Sequence, residues 1–297
     1  MRKFLNYIGV VFLLTIGIAY TLDVLYTGIY TYGAARTKTT LALQEKEKEF
    51  DVVFLGSSRA NNHFDTAVFE ENDLKVYNFG MSGAQLEENL LLLKLLIANK
   101  TKIHTLVLQV DTNLIDTYIS EGTRVSFYPF IDEDIISSYY ENKQINEFDY
   151  FKYVPFYRYM KYDSRIGFRE TALIMAKFHQ KTLNEANLGF SPLLGMGKNM
   201  SYNLANAKPL QKHPYYEEIK QICAKENIRF VPVTTPICEN SSSNNFFKKI
   251  RAYYPEIKEL SFLVTDDKYF ESCGHMNVEG AQFFSEQVYE MFFNKQN

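Results

Sequence analysis

The chain reads as an α/β protein, with strands alternating with helices in a doubly wound parallel sheet. Three observations carry that expectation. Apolar, strand-like runs occur at 51–55, 74–79, 104–110, 228–234 and 260–265. Stretches of helical periodicity fall between them. Several of the runs stop abruptly at glycine or polar residues, as buried strands do at the carboxyl edge of a sheet, where such folds bind their ligands. The full expectation is a flavodoxin-like sheet with a helical insertion and an N-terminal transmembrane helix.

Taken in order, Arg2 and Lys3 precede an apolar run at 4–22, broken only by Asn6, Thr15, Thr21 and glycines. About 19 helical residues rise roughly 28 Å, close to the thickness of a bilayer's hydrocarbon core. The positive residues lie before the run and Asp23 lies after it. By the positive-inside rule the N-terminus stays in the cytoplasm and the rest passes outward, single-pass, in a cytoplasmic or inner membrane. A cleaved signal peptide has a shorter apolar region and a small-x-small cleavage site. Here the run ends Ala-Tyr-Thr-Leu-Asp, so an uncleaved signal anchor is the better reading. Residues 24–33 stay semi-apolar and Tyr-rich, as at a membrane interface, so 1–33 form the anchor and membrane-proximal segment. Residues 34–50 are polar and charged, a linker or solvated helix. The domain proper is 51–297.

Within it, Leu86, Leu90, Leu93 and Ile97 recur at helical spacing, with Glu87, Glu88 and Lys94 on the other side. That helix, over 84–100, is too apolar to stand free and should cover the sheet. Further helices are expected at 215–227, 244–254 and 278–293. The stretch 114–213 breaks the alternation. It is aromatic, helical at 147–162 and 168–183, and loop-like at 189–212. It reads as an insertion over the same sheet edge, either a lid or acceptor platform, or a helical decoration.

Composition narrows the function. The 297 residues suit one large domain or two small ones, and an apolar fraction of 46% is ample for a core. A net charge of −3 with no basic run excludes a nucleic-acid partner. There are 22 Tyr, 24 Phe and no Trp, a bias that fills cores and in some proteins lines sugar clefts. Cys223, Cys238 and Cys273 are too widely spaced for a zinc knuckle. A bridge between Cys238 and Cys273 requires both loops to lie at one sheet edge. His104, His179 and His213 show no ligand spacing, so no metal or other cofactor is assigned.

The chemistry-bearing segments sit at the expected strand ends. Gly56-Ser57-Ser58 ends the first run, Asn78-Phe-Gly80-Met-Ser-Gly83 the second, and Asp111-Thr-Asn113 the third. Gly274-His275-Met-Asn277 follows the last and opens the final helix. These are the parts of an acyl-transfer site: Ser58 as nucleophile and His275 as the base that takes its proton. The N–H groups of Ser58 and Gly83 and the Asn113 amide are the candidate oxyanion donors, each such donor being worth about 3 kcal/mol in a transition state. Arg59 and the run Asn61-Asn62-His63 read as a solvated helix start, or else as a surface facing a polar acceptor.

This order of motifs resembles the SGNH, or GDSL-like, hydrolase family, over about 50–113 and 228–293. The resemblance implies Ser58 as nucleophile, Gly83 and Asn113 as oxyanion donors and His275 as base. Two positions depart from the family pattern. Ser57 stands where the first block carries Asp, as in membrane-anchored relatives acting on cell-surface polymers. Ser272 stands where Asp-x-x-His places its Asp, so Glu271, one position off, is the weak candidate to orient His275. With the topology, the resemblance implies ester or acyl-transfer chemistry on a cell-surface glycan or other acylated carbohydrate. The type is that of polysaccharide O-acetylation and D-alanyl transfer proteins, with a membrane-bound O-acyltransferase as the partner to seek. The competing expectations are a catalytically degenerate member that binds glycan or acts as a scaffold, and a plain secreted esterase.

Overall fold

The computed structural model describes residues 1–117, 120–143, 147–176 and 187–294, and divides into two compact units. One comprises Lys46–Thr123 and Leu183–Asn297, the other Met1–Glu45 and Arg124–Thr182.

The first unit is mixed α/β around a parallel sheet of four strands: β1 (Glu49–Leu55), β2 (Val76–Asn78), β3 (Lys102–Gln109) and β4 (Arg229–Val233), in the order β2-β1-β3-β4. Val53 lies opposite Tyr77 on one side and Leu106 on the other, and Leu106 lies opposite Phe230. Val52 to Leu55 and Leu106 to Leu108 are wholly buried. Unbroken apolar runs of this kind belong to strands covered on both faces. The helix Leu86–Ala98 packs against the helix Pro214–Lys225, and the helix Val278–Phe292 packs against the short helices Ser58–His63 and Thr66–Glu70.

Three sequence expectations need correction in this unit. Glu87 and Glu88 are buried, not on a solvated side. Glu88 closes a capping box, accepting the N–H of Gln85 at 2.8 Å and that of Ser120 at 2.9 Å. A helix start has orphan N–H groups to satisfy, and the carboxylate goes to them. Burial pushes its pKa up to about 7. The expected strand at 260–265 does not form, and the one parallel bridge to β4 in this region, Val233 to Lys258, lies before it. The Thr234 hydroxyl accepts the Leu260 N–H at 2.8 Å, and Leu263 N–H turns back to the Leu260 carbonyl, so the chain leaves the ladder. Arg59, Asn61, Asn62 and His63 are buried rather than solvated.

A small antiparallel pair, β5 (Phe270–Ser272) and β6 (His275–Met276), follows. Asn277 then caps the last helix by accepting the Gly280 N–H at 3.0 Å. Cys238 and Cys273 form a disulfide that joins the segment beyond β4 to the β5–β6 turn, while Cys223 is a buried thiol.

In the second unit the helix Arg2–Tyr32 extends ten residues beyond the apolar run. It is long and apolar enough to cross a membrane, and residues 1–18 carry no protein cover. The expected linker contains a helix, Lys38–Gln44, capped by Thr37. The helix expected at 147–162 is two short ones, Phe148–Tyr153 and Tyr157–Lys161. Pro155 lacks the N–H that would continue the first helix, and Phe156 is left-handed at φ 63°. The helix expected at 168–183 is described as Phe168–Met175, and residues 177–183, His179 among them, lie outside the described residues. Of the expected insertion, residues 124–176 group with the N-terminal helix, and residues 187–213 group with the sheet. Much of the aromatic bias fills cores: Tyr30, Tyr128, Tyr140, Phe151 and Tyr159 are buried together with Phe127 and Phe130.

Candidate active site

β1 ends at Leu55, and the chain must then turn sharply to present a hydroxyl. Gly56 makes that turn at φ 152°, and a Cβ there would lie 2.7 Å from both the Ala60 Cβ and the Gln109 side chain. Ser57 follows as a helix cap, its hydroxyl accepting the Arg59 N–H at 3.3 Å. Gln109, wholly buried at the end of β3, grips this corner. Its Oε1 accepts both the Ser57 N–H and the Ser57 hydroxyl, each at 2.8 Å. Asn78 fixes the corner from the other side. Its amide donates to the carbonyls of Ala60 at 2.8 Å and Phe64 at 3.1 Å, and its oxygen accepts the Gly80 N–H at 2.9 Å. A buried amide bound this fully sets the geometry around it.

Ser58 then stands at the first position of the helix Ser58–His63. Its hydroxyl lies 2.8 Å from Nε2 of His275, on β6. Both side chains are partly exposed, open to a ligand from solvent. Nδ1 of His275 lies 3.1 Å from the Ser272 hydroxyl. With the Ser58 hydroxyl donating to Nε2, Nδ1 carries the ring proton and donates it to Ser272 Oγ. A serine hydroxyl accepts as well as donates, so it fixes the tautomer that a base needs. It brings a dipole rather than a charge.

Glu271 is exposed on β5, and its carboxylate reaches His275 only through charge, raising its pKa. Burial outweighs this. Desolvation, and next the positive charge of Arg59, hold the His275 pKa below its ordinary value. Arg59 is itself buried against Asp111, Nη1 to Oδ2 at 3.1 Å. Its Nη2 donates to the carbonyls of Thr235 at 2.6 Å and Pro236 at 2.7 Å. Asp111 also accepts the Thr112 N–H at 2.6 Å. The pair ties the turn after β3 to the segment after β4, directly beneath the helix start that carries Ser58.

His63 supports the other side of the base. It is fully buried, its Nε2 accepts the Met276 N–H at 3.1 Å, and its ring centroid lies 6.4 Å from that of His275. Burial, then the charges of Arg59 and His275, push its pKa well below the ordinary value, so it stays neutral.

The two further oxyanion candidates differ. Gly83 lies in a turn whose bond is made by Ala84 N–H to the Met81 carbonyl, with Met81 N–H donating to Gly56 at 3.0 Å. Its φ of 82° is one that side chains rarely adopt. Asn113 is buried and occupied: its oxygen accepts the Asp111 N–H at 2.9 Å and its amide donates to the Gln109 carbonyl at 3.2 Å. It shapes the turn after β3.

Comparison with protein-family models and with curated protein sequences finds no match. The site must therefore be read from its own chemistry. Gln109 is the residue that sequence reasoning passed over, while Asp111 was noted only as part of a strand-end segment and His63 as part of a solvated helix start or acceptor-facing surface. Gln109 carries a legible signal, a polar residue closing the run Leu106-Val107-Leu108, where burial demands a partner. His104 and His213 stand outside the site. His104 pairs with exposed Glu49, and His213 Nε2 donates to the Asp116 carbonyl at 2.8 Å. Among the described residues no cluster of His, Cys, Asp and Glu is arranged to hold a metal ion.

Proposed function

We propose that this chain is a membrane-anchored, extracytoplasmic serine esterase or O-acyltransferase of the SGNH-like type. It acts on acyl groups of a cell-surface carbohydrate. The observation that carries the reading is the Ser58–His275 contact at 2.8 Å, with Nδ1 of the same ring held by Ser272. Ser58 Oγ attacks the ester carbonyl and its proton passes to Nε2. The developing oxyanion is met by backbone N–H groups of Ser58 and Gly83. Collapse of the intermediate expels the alcohol, protonated by His275, and leaves an acyl group on Ser58. Water or a sugar hydroxyl, deprotonated by His275, then takes that acyl group.

The sheet order β2-β1-β3-β4 supports a flavodoxin-like, doubly wound arrangement. Strand order reverses between β1 and β3 in such sheets, and ligands bind at that crevice. Ser58 follows β1, and the Gln109–Asp111 corner follows β3. The N-terminal helix supports single-pass anchoring, and Arg2 and Lys3 before it support an N-terminus on the cytoplasmic side. The Cys238–Cys273 disulfide supports an oxidising, extracytoplasmic compartment for the sheet. A membrane-bound O-acyltransferase is the proposed source of acyl groups.

A second reading, a catalytically inert glycan-binding or scaffold protein on the same fold, is favoured by one observation: the buried Asn113 amide is turned to the Gln109 carbonyl. Turnover separates the two. Full-length protein in detergent is expected to hydrolyse p-nitrophenyl acetate, with Ser58→Ala and His275→Ala each reducing kcat about a thousandfold or more. Equal turnover by Ser58→Ala and the unaltered protein would dismiss the enzyme reading.

A further inference from the structure

The segment 124–176 shares a unit with the N-terminal helix, and the bonds between them fix its height above the membrane. Cover on that helix begins at Ala19, after 18 bare residues. The first polar contact is at Asp23. Its Oδ2 accepts the Phe156 N–H at 2.6 Å, and its Oδ1 takes Nη2 of Arg158 at 2.8 Å. Arg158 is buried and also donates to Thr27 Oγ1 at 2.9 Å and to the Phe151 carbonyl at 3.0 Å. The Tyr26 ring packs on Phe156 and Tyr159 at centroid distances of 4.9 and 5.2 Å. On the uncovered side Val24 and Leu25 remain exposed, so the helix stays apolar for two residues past Asp23.

Residues 150–160 are therefore held at the end of the membrane-spanning stretch. Those next to the Asp23 contact are apolar and unburied: Tyr150 is 57%, Tyr153 68%, Val154 41% and Met160 60% exposed. In water such a cluster loses the benefit of burial. At the boundary between acyl chains and headgroups it does not, and tyrosine is enriched at that depth. Headgroup regions add about 5–7 Å on each side of the hydrocarbon, within reach of one or two helical turns from Asp23.

We propose that residues 150–160 form an interfacial collar, in which Tyr150, Tyr153, Val154 and Met160 dock into the headgroup–acyl boundary of the bilayer that the N-terminal helix crosses. The collar neutralises Asp23 with Arg158 at the point where a lone carboxylate would be costly, and it sets the depth and tilt of the helix. The neighbouring lysines are already paired, Lys152 with Glu141 and Lys161 with Glu147, so docking does not depend on anionic lipid. The inference rests on the helix crossing a bilayer and is independent of the ester chemistry.

The chain has no Trp, so a single substitution creates a unique reporter. Full-length Tyr153→Trp and Met160→Trp are reconstituted separately in phosphatidylcholine vesicles whose acyl chains carry bromine near the glycerol or near the terminal methyl. Leu14→Trp, within the apolar run, reports on crossing. Met175→Trp is equally exposed, but it follows Ile174, which packs on Gly33, about 15 Å along the helix beyond Asp23. Tyr153→Trp and Met160→Trp are expected to lose emission chiefly with the shallow bromines. Leu14→Trp should lose it with the deep ones, and Met175→Trp with neither. Emission from Tyr153→Trp and Met160→Trp as insensitive as that from Met175→Trp, with Leu14→Trp quenched, would overturn the collar and leave the anchor standing. An unquenched Leu14→Trp would overturn both.

Discussion

The disulfide is the feature whose removal should be felt in both stability and chemistry. Cys238 and Cys273 are 35 residues apart, and Cys273 is two residues from His275. Closing a loop of that length removes chain entropy from the unfolded state worth about 4 kcal/mol. Spread over a unit of this size, that is a fall in Tm of roughly 8–16 °C in a Cys238→Ser, Cys273→Ser double variant. The chemical effect is local. The turn that carries His275 is joined at Cys273 to the segment whose Thr235 and Pro236 carbonyls are gripped by Arg59. Cut loose, the ring is free to drift from Ser58, and a displacement of about 1 Å costs on the order of a hundredfold in rate. Circular dichroism melts of the full chain in detergent read the first effect, and the labelling rate of Ser58 by a fluorophosphonate reads the second. A melt within about 2 °C of the unaltered protein, with labelling unchanged, would refute the reasoning. It would show that backbone bonds such as Cys238 N–H to the Cys273 carbonyl at 3.0 Å hold the turn unaided.

Three further outcomes follow from the groups around His275. Ser272→Ala removes one neutral hydrogen bond, worth about 1 kcal/mol, and is expected to slow ester turnover roughly fivefold. Ser272→Asp supplies a charge-assisted bond to the imidazolium and is expected to speed turnover by a similar factor, so a slower Ser272→Asp would contradict the orienting role. The His275 pKa lies below 6.5, through burial and then Arg59, and the base works in its neutral form. The acid limb of kcat/KM against pH is therefore expected below 6.5, moving upward in Ser272→Asp; a limb above 6.5 in the unaltered protein would count against it. His63 is held neutral in the fold, so below pH 6.5 the unfolded chain gains a proton that the folded one refuses. Stability should then fall with pH by up to about 1.4 kcal/mol per unit from this residue. His63→Leu is expected to remove that share of the acid-side slope while costing about 1–3 kcal/mol at neutral pH, because the buried Met276 N–H loses its acceptor. Urea melts across pH check both.

The four strands of the sheet were legible in the sequence as apolar runs with abrupt ends. The fifth expected strand does not form. Residues 260–265 carry Leu, Phe, Leu and Val, but the Thr234 hydroxyl captures the Leu260 N–H, and a side-chain bond of that kind leaves no trace in periodicity. Ser58 follows β1 as its sequence position suggests, whereas His275 was expected after a strand at 260–265 that does not form and lies instead on β6, 217 positions away in sequence and 2.8 Å from the Ser58 hydroxyl. Glu88 misled, since a carboxylate on a helix reads as solvated until the orphan N–H groups it satisfies are known. Arg59 misled in the same way, reading as part of a solvated helix start while it forms a buried pair with Asp111. The stretch 114–213 was expected as a single insertion, whereas 124–176 groups with the N-terminal helix, an attachment that depends on Asp23 meeting Arg158, a pairing of single residues 135 positions apart.

The central claim is that Ser58 is a nucleophile activated by His275. Full-length protein is treated with a fluorophosphonate probe, digested, and the adduct located by mass spectrometry, beside Ser58→Ala and His275→Ala. The account predicts one adduct, on Ser58, absent from Ser58→Ala and strongly slowed in His275→Ala. No adduct on the unaltered protein, or an adduct on Ser57 that persists in Ser58→Ala, would contradict it.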